Sequence, residues 1–391
     1  MKNLYPVLLA AALILFLADG LDAAPAALAQ RSEKATRHGT LKVLNGCRVL
    51  SVWGTPEQMG TAHGTLLKAT IKKVIRDVIT EGLGSEKAAY ENMLRGSAIM
   101  QKHQPREYIR ELKSLAAAAE VKYEDLLLLQ YFGDVRRCIQ GAGASSLCTS
   151  FAVLPPLTRG KTCIVGRNFD YFDNGVGRYA SLLVHYRPKG KTPFVTVTWA
   201  GIINGWTILS QKGIVVSNNT SFDGRSRSLE AISTCFLLRH IAENAGSVAE
   251  GIRLIKAAKR SCGTSVLIAS GKPPNAAIVE FDAEGLAVRS AENGFVSADN
   301  GFLKLYSQNV TAYYGRSLRA LNIARGNRGK VDLKLNIAGS DGVPIESMNL
   351  HSAMIDCGSL RLRIAMGSIP AFKRPFKAFR LTPDGLVEDK Q

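Results

Sequence analysis

Between Glu57 and Val78, apolar residues at Met59, Leu66, Leu67, Ile71, Val74, Ile75 and Val78 recur at helical spacing, which predicts an amphipathic helix with that stripe inward. The same period predicts a helix over Tyr108 to Ala119. The run Leu126 to Leu129, entered through Tyr123-Glu124-Asp125, reads as a buried helix. This part of the chain is therefore expected to be mainly helical. At Gly141-Ala142-Gly143-Ala144-Ser145-Ser146 the pattern gives way to small residues, which predict a loop or linker. Short β-rich runs follow at Ser150 to Leu154, Thr162 to Phe169, Ala180 to His185, Phe194 to Trp199, Trp206 to Ser210 and Gly213 to Ser217, separated by Pro, Gly and Lys turns.

Helical periodicity returns over Leu229 to Ala245 and Val248 to Ala258. Strands are expected at Ser265 to Ala269, Ala277 to Phe281 and Leu286 to Ser290, then a helix near Arg316 to Ala324, then strands at Leu360 to Ala365 and Phe376 to Leu381. Helices, a block of strands, helices and strands again suit layered α+β packing better than alternating β-α-β units. No internal repeat is visible, and no Pro- or Ser-rich linker splits residues 30–391, which are expected to form one structural domain.

The N-terminus adds a leader. A lone Lys2 precedes the apolar run Tyr5 to Ala18, and a small-residue stretch ends at Ala27-Leu28-Ala29, the pattern of a signal peptide over residues 1–29. The run is shorter than the roughly 20 residues that a spanning helix needs, so export to a periplasmic or secreted location without stable membrane insertion is expected. Removing Lys2, Asp19 and Asp22 with the leader turns 50 basic and 32 acidic residues into 49 and 30, a net charge of +19. Such a surface suits anionic partners. The basic, aromatic stretch Lys373-Arg374-Pro375-Phe376-Lys377-Ala378-Phe379-Arg380 is read as an edge strand guarded by charge, not as a nucleic-acid patch.

Seven cysteines in an exported chain are an odd number, so at least one thiol is left over. Cys-x-x-Cys and His-Glu-x-x-His spacings are absent, and Ser270-Gly271-Lys272 lacks the upstream glycine of a phosphate loop, so neither a metal nor a nucleotide is expected. Around Cys148, the run Leu147-Cys148-Thr149-Ser150-Phe151 faces Gly166-Arg167-Asn168-Phe169-Asp170 across a turn. If Leu154 and Thr162 close this hairpin, Cys148 lies opposite Asn168, with Arg167 and Asp170 nearby. A guanidinium stabilises a thiolate and lowers the pKa of a free thiol from about 8.5. Strand alternation sends Arg167 and Asp170 to opposite faces, so a bulge or a strand end must intervene if both serve one site. A buried cysteine beside an Arg–Asp ion pair is the plainer alternative.

None of the six histidines lies near Cys148 in sequence, so a nucleophilic Cys148 needs another base. Cleavage between Leu147 and Cys148 supplies one, because the freed α-amine, with a pKa of about 7.7 to 8.0, accepts a proton near neutrality. The thiol can make that cut itself by attacking the Leu147 carbonyl, after which water hydrolyses the resulting thioester.

Three stretches together carry a resemblance: Gly54-Thr55-Pro56-Glu57-Gln58-Met59-Gly60-Thr61-Ala62-His63-Gly64, Cys148-Thr149-Ser150-Phe151 and Gly166-Arg167-Asn168-Phe169-Asp170. They resemble the acyl-CoA:6-aminopenicillanic acid acyltransferase family of N-terminal nucleophile hydrolases, relatives of acid ceramidase and choloylglycine hydrolases. The resemblance implies an αββα sandwich, self-cleavage into chains 30–147 and 148–391, and hydrolysis or transfer of an acyl group at a non-peptide amide. By position, Arg167 and Asp170 resemble the pair that orients the nucleophile. Asn218 and Asn219 resemble the stretch supplying an oxyanion donor, Asn219 being preferred from its spacing to Phe222. Arg239 resembles a further family arginine; it is otherwise a snorkelling surface residue, or a buried one in need of a carboxylate. Where relatives show Thr-Asn-His, this chain has Ser297-Ala298-Asp299-Asn300-Gly301, and His63 between glycines is taken as structural. The chemistry needs no cofactor, and its partner is a small N-acyl substrate. A non-catalytic exported binding protein with the same fold is the competing reading.

Overall fold

A computed structural model describes residues 33–83, 86–141, 147–171, 173, 175–306 and 315–390; the leader expected at 1–29 and residues 142–146 of the expected loop or linker lie outside them. The N-terminal part opens with three strands, β1 (Lys34–Thr36), β2 (Gly39–Leu44) and β3 (Cys47–Gly54). Helices α1 (Pro56–Val74), α2 (Lys87–Met100), α3 (Arg106–Ala119) and α4 (Tyr123–Gln140) follow. Then come β4 (Thr149–Val153), β5 (Ile164–Asp170), a single turn α5 (Gly177–Ala180), β6 (Ser181–Pro188), β7 (Phe194–Trp199), β8 (Thr207–Ser210) and β9 (Ile214–Thr220). Helices α6 (Thr234–Asn244) and α7 (Val248–Ala257) lead to β10 (Thr264–Gly271), β11 (Pro274–Phe281), β12 (Leu286–Ser290) and β13 (Phe295–Ala298). The last elements are α8 (Gly315–Gly326), β14 (Asn349–Asp356), β15 (Arg361–Met366), β16 (Lys377–Thr382) and β17 (Gly385–Glu388).

Among the described residues, ten strands form one sheet in the order β1-β2-β3-β6-β7-β8-β9-β10-β11-β12, and seven form a second in the order β13-β4-β5-β14-β15-β16-β17. All pairs are antiparallel except β3 with β6. Alternation decides what each face does. Val195, Val197, Val215, Leu267, Val165, Ala353, Ile355 and Phe379 meet between the sheets. Leu182, Val184, Val216, Val266 and Ile268 on the other face of the larger sheet pack against Ile71, Leu112, Leu115, Leu128 and Phe236 of the helices. Behind the smaller sheet, Phe151, Val153 and Met354 pack on Ala320 and Ala324 of α8. The layers are helix, sheet, sheet, helix, the α+β sandwich expected.

The first conspicuous motif is structural. Thr55 caps α1 through its hydroxyl while the Gln58 side chain accepts from the Thr55 N–H at 2.9 Å, with Pro56 opening the helix. Gly60 and Gly64 let α1 lie directly on α3: a methyl group on Gly64 would come within 2.5 Å of the Leu115 carbonyl oxygen, and one on Gly60 would strike the Glu111 carbonyl. His63, between them, accepts from the Gly201 N–H at 3.1 Å. Burial, with Arg239 nearby, holds its imidazole down at about 3, so it is neutral.

The expected helical part is found, with α1 to α4 filling most of residues 56–140; strands β1 to β3, which precede α1, were not expected, because Leu41 and Val43 there are partly exposed at the sheet margin and give weak alternation. Two expectations are corrected. The hairpin is one residue out of the expected register: Thr149, not Cys148, faces Asn168, and Ser150 faces Arg167. The turn at Pro155 to Cys163 takes in a short helical segment, so Leu154 and Thr162 do not close it. Lys377 to Thr382 is not the edge strand, since β17 covers it.

Arg239 lies on the buried face of α6. Its guanidinium grips Glu111 of α3 at 3.1 and 2.7 Å, Nε donates to Glu243 at 2.8 Å, and Nη1 donates to the Ile203 carbonyl at 2.7 Å. Tyr108 and Tyr186 cover its faces at 4.5 and 4.7 Å. Two carboxylates answer the requirement of a buried arginine. Replacing Arg239 with Met leaves Glu111 without its cation and Glu243 with Lys191 alone, and a loss of about 3–5 kcal/mol in denaturant unfolding is expected. A stability change under about 1 kcal/mol would count against this role.

Candidate active site

Cys148 precedes the first residue of β4 and is buried. Both of its backbone groups are held by side chains. Its N–H donates to Asn300 Oδ1 at 3.0 Å, and its carbonyl accepts from Asn219 Nδ2 at 2.9 Å. The preceding Leu147 N–H donates to the Asp170 carbonyl at 2.9 Å, so the segment entering the site continues the pairing of β4 with β5.

Arg167 is fully buried on β5 and points between the sheets. It donates to Ser150 Oγ at 3.2 Å, to Asn219 Oδ1 at 3.1 Å and to the Asn218 carbonyl at 2.7 Å. Gly166 beside it has no room for a side chain, because the Phe151 ring of the paired strand covers its Cα. Asp170 is the last residue of β5, opposite an irregularity in the register of β14 between Asn349 and His351. That strand end is the irregularity expected where Asp170 and Arg167 fall on opposite parities of one strand. Asp170 accepts from Asn349 Nδ2 at 2.8 Å and the Ile345 N–H at 3.1 Å, and its ion pair, at 3.5 Å, is with Arg316.

The two candidate asparagines separate. Asn219 is fully engaged: Nδ2 serves Cys148 and the Ala298 carbonyl at 2.7 Å, while Oδ1 takes Ser150 Oγ at 2.6 Å and Arg167. Asn218, one residue earlier and therefore on the opposite face of β9, lines a cavity of about 300 Å³. The geometry thus gives the pocket-facing position to Asn218 and not to the preferred Asn219. Phe169, Tyr171, Trp199 and Trp206 build an aromatic wall of this cavity, with Phe169 stacked on Trp206 at 4.5 Å. Helix α4 supplies Leu129, Phe132 and Arg136.

Two site residues carried no usable sign in the sequence. Asn300 binds Cys148 through Oδ1, donates from Nδ2 to the Thr220 carbonyl at 2.8 Å and receives Arg316 Nη2 at 2.6 Å. It sits in the stretch singled out only for its missing histidine. Arg316 opens α8, and nothing in its neighbours distinguishes it from other helix-start arginines. Arg239 is not brought here; it belongs to the α3–α6 ion cluster.

Burial raises the Asp170 carboxyl to about 6, against the opposing hydrogen bond from Asn349 and the charge of Arg316. Unfolded, it titrates at its ordinary 3.8, so between these values the folded chain binds more protons than the unfolded one. Its contribution to stability is complete below the lower value and is lost as pH rises through the upper one, a change of about 3 kcal/mol. Asp170→Asn cannot ionise, and urea titrations should show a flatter stability profile than wild type from mildly acidic to neutral pH. Parallel profiles would contradict the assignment.

Residues 157–320 match the family described as acyl-coenzyme A:6-aminopenicillanic acid acyl-transferase. An uncharacterized protein of Archaeoglobus fulgidus is 24% identical over 71% of this chain and 50% of its own length. Protein dcd1A of Dictyostelium discoideum is 24% identical over 65% of this chain and 62% of its own. The chain thus spans only half to three-fifths of these curated relatives. Among solved structures, an N-acylethanolamine-hydrolyzing acid amidase ortholog of Caenorhabditis elegans aligns over 54% of this chain and 93% of that chain, with 16% identity and a TM-score of 0.44. Penicillin V acylase of Agrobacterium tumefaciens aligns over 60% of this chain and 87% of that chain, with 11% identity and a TM-score of 0.43. The segment that matches the acyl-coenzyme A:6-aminopenicillanic acid acyl-transferase family is the one that contributes Arg167, Asp170, Asn218, Asn219, Asn300 and Arg316 to the site, and it bears out the resemblance carried by the motifs.

Proposed function

We propose that this chain is an exported cysteine amidohydrolase or acyltransferase that cuts itself between Leu147 and Cys148 and then works on a small N-acyl substrate through a thioester. The observation that carries this reading is the hold on the Cys148 backbone: Asn300 takes its nitrogen and Asn219 its carbonyl, with Arg167 and Asp170 on the adjoining strand. In the first step Sγ adds to the Leu147 carbonyl carbon, the C–N bond breaks as the nitrogen gains a proton, and water hydrolyses the thioester. The new α-amine remains beside Asn300 Oδ1, which the Arg316 guanidinium polarises. That amine accepts the thiol proton, the thiolate attacks the substrate carbonyl, and the protonated amine returns the proton to the departing nitrogen. Water or an acceptor amine then releases the acyl group.

Asn218, on the cavity wall, is the oxyanion donor in this scheme, and the aromatic wall of Phe169, Trp199 and Trp206 receives the acyl chain. Among the described residues no helix is long and apolar enough to cross a membrane.

Intact mass and N-terminal sequencing should find fragments 30–147 and 148–391 in the wild type, the second beginning at Cys148, and a single chain in Cys148→Ala. An active wild type that stays in one piece defeats the maturation step. Activity should be sought with β-lactams, acyl homoserine lactones, fatty amides and conjugated bile acids; failure of matured protein on all N-acyl compounds, with tight binding of an anionic ligand, would favour the non-catalytic alternative. With a substrate in hand, Asn218→Ala should lower kcat about 10²–10³-fold while self-cleavage persists. Asn219→Ala should instead disturb folding and maturation. The opposite assignment of these two effects would exchange the roles.

A further inference from the structure

Self-cleavage at Leu147–Cys148 would divide the chain between α4 and β4, yet α4 forms one wall of the cavity. Cys138, in the last turn of α4, and Cys262, two residues before β10, belong to opposite sides of that division. Both sulfurs rest on Ser261: Cys138 Sγ lies 3.8 Å from its carbonyl oxygen and Cys262 Sγ 3.6 Å from its hydroxyl. Cys138 Sγ is 3.4 Å from the Ser228 carbonyl as well.

Bonds that do not involve sulfur hold this geometry. Arg137 Nη1 donates to the Gly263 carbonyl at 2.9 Å and Thr264 Oγ1 at 3.4 Å, while Nη2 pairs with Asp134 at 2.7 Å. Asp134 in turn accepts from the Thr234 N–H at 2.7 Å and hydroxyl at 2.9 Å. The end of α4 is therefore fixed on the 261–264 segment before any covalent bond forms, which keeps both thiols on Ser261. The hydrogen bond from Cys138 and the charge of Arg137 hold the Cys262 thiol below its ordinary value, against the effect of burial.

We infer that Cys138 and Cys262 form a disulfide joining the N-terminal part of the chain to the nucleophile-bearing part. Its role as a tie between two fragments rests on the self-cleavage proposed above; the bond itself does not. The oxidant is an external disulfide, either oxidised glutathione or a disulfide oxidoreductase of an oxidising compartment. Cys138, the more exposed of the two, attacks that disulfide as its proton passes to the departing thiolate, forming a mixed disulfide and releasing one external thiol. The Cys262 thiolate attacks the Cys138 sulfur, displacing the second external thiol. Two protein thiols are oxidised, one external disulfide is reduced, and two protons pass to the released thiolates. The bond then pins Leu129, Phe132 and Arg136 of the cavity wall to the catalytic part.

The test is made on folded full-length chain and on Cys148→Ala, each incubated with oxidised glutathione, quenched with N-ethylmaleimide and mapped by non-reducing peptide mass spectrometry. A Cys138–Cys262 linked peptide is expected in both proteins, disappearing on reduction and absent from Cys262→Ser. Wild-type fragments should also migrate as one band without reductant and as two with it. Recovery of both cysteines as maleimide adducts, as separate glutathione adducts or in linkage to other cysteines overturns the inference. A wild type that yields the linked peptide but runs as one band under both conditions overturns self-cleavage and leaves the disulfide standing. The wild-type map decides the matter without relying on the folding of any variant.

Discussion

Asn219 is where the two sheets become one object. Its amide belongs to β9 of the larger sheet, yet its four hydrogen bonds go to Cys148, Ala298, Ser150 and Arg167, on or beside strands of the smaller one. Arg167 answers from the other side by donating to the Asn218 carbonyl. A sandwich held by apolar contact alone could slide, because the hydrophobic effect is non-directional. A buried amide and guanidinium that share partners across the two sheets favour one alignment, and a displaced register would leave polar groups stranded at a cost of about 1–3 kcal/mol each. The position of the Cys148 backbone follows from that constraint.

A second polar knot lies on the opposite face of the larger sheet, where Arg239 joins α6 to α3 through Glu111. Lys191 extends it to Glu107, and the Tyr108 hydroxyl donates to Glu243 at 2.7 Å. The ring of carboxylates and cations is enclosed by Tyr108, Tyr186 and Phe194. One knot sets the face that meets Cys148 and the other seats the helical layer, so the larger sheet is indexed from both sides.

What the sequence made legible follows its periodicity. The stripe from Met59 to Val74 announced α1 because burial of one helix face imposes a period on it, and the β-rich runs at 194–199 and 286–290 announced β7 and β12. Strands β1 to β3 escaped because their residues lie partly exposed near the sheet margin, and β13 and β14 because their mixed polar and apolar residues serve the site. Cys148, Arg167 and Asp170 were legible through their motif and their shared hairpin. Asn300 and Arg316 were not, since they reach Cys148 from far along the chain, and only the fold brings β13 and α8 to β4. The choice between Asn218 and Asn219 turned on strand parity, which becomes decisive only when one face is known to look into a cavity. Arg239 illustrates the opposite error: a charge on an apolar stripe identified a buried ion cluster correctly while saying nothing about its distance from the chemistry.

The parallel pairing of β3 with β6 gives the larger sheet a composite origin. Strands β1 to β3 come from before the proposed cut, and the seven others from after it. A separated nucleophile-bearing fragment would therefore bare the backbone donors and acceptors of β6 together with the apolar face that α1 and α3 shield. Such an unpaired rim is a template for pairing with other chains. If the proposed cut is made, the N-terminal piece serves in this respect as a permanent chaperone for its own partner, and its departure would lead to aggregation sooner than to a smaller folded protein.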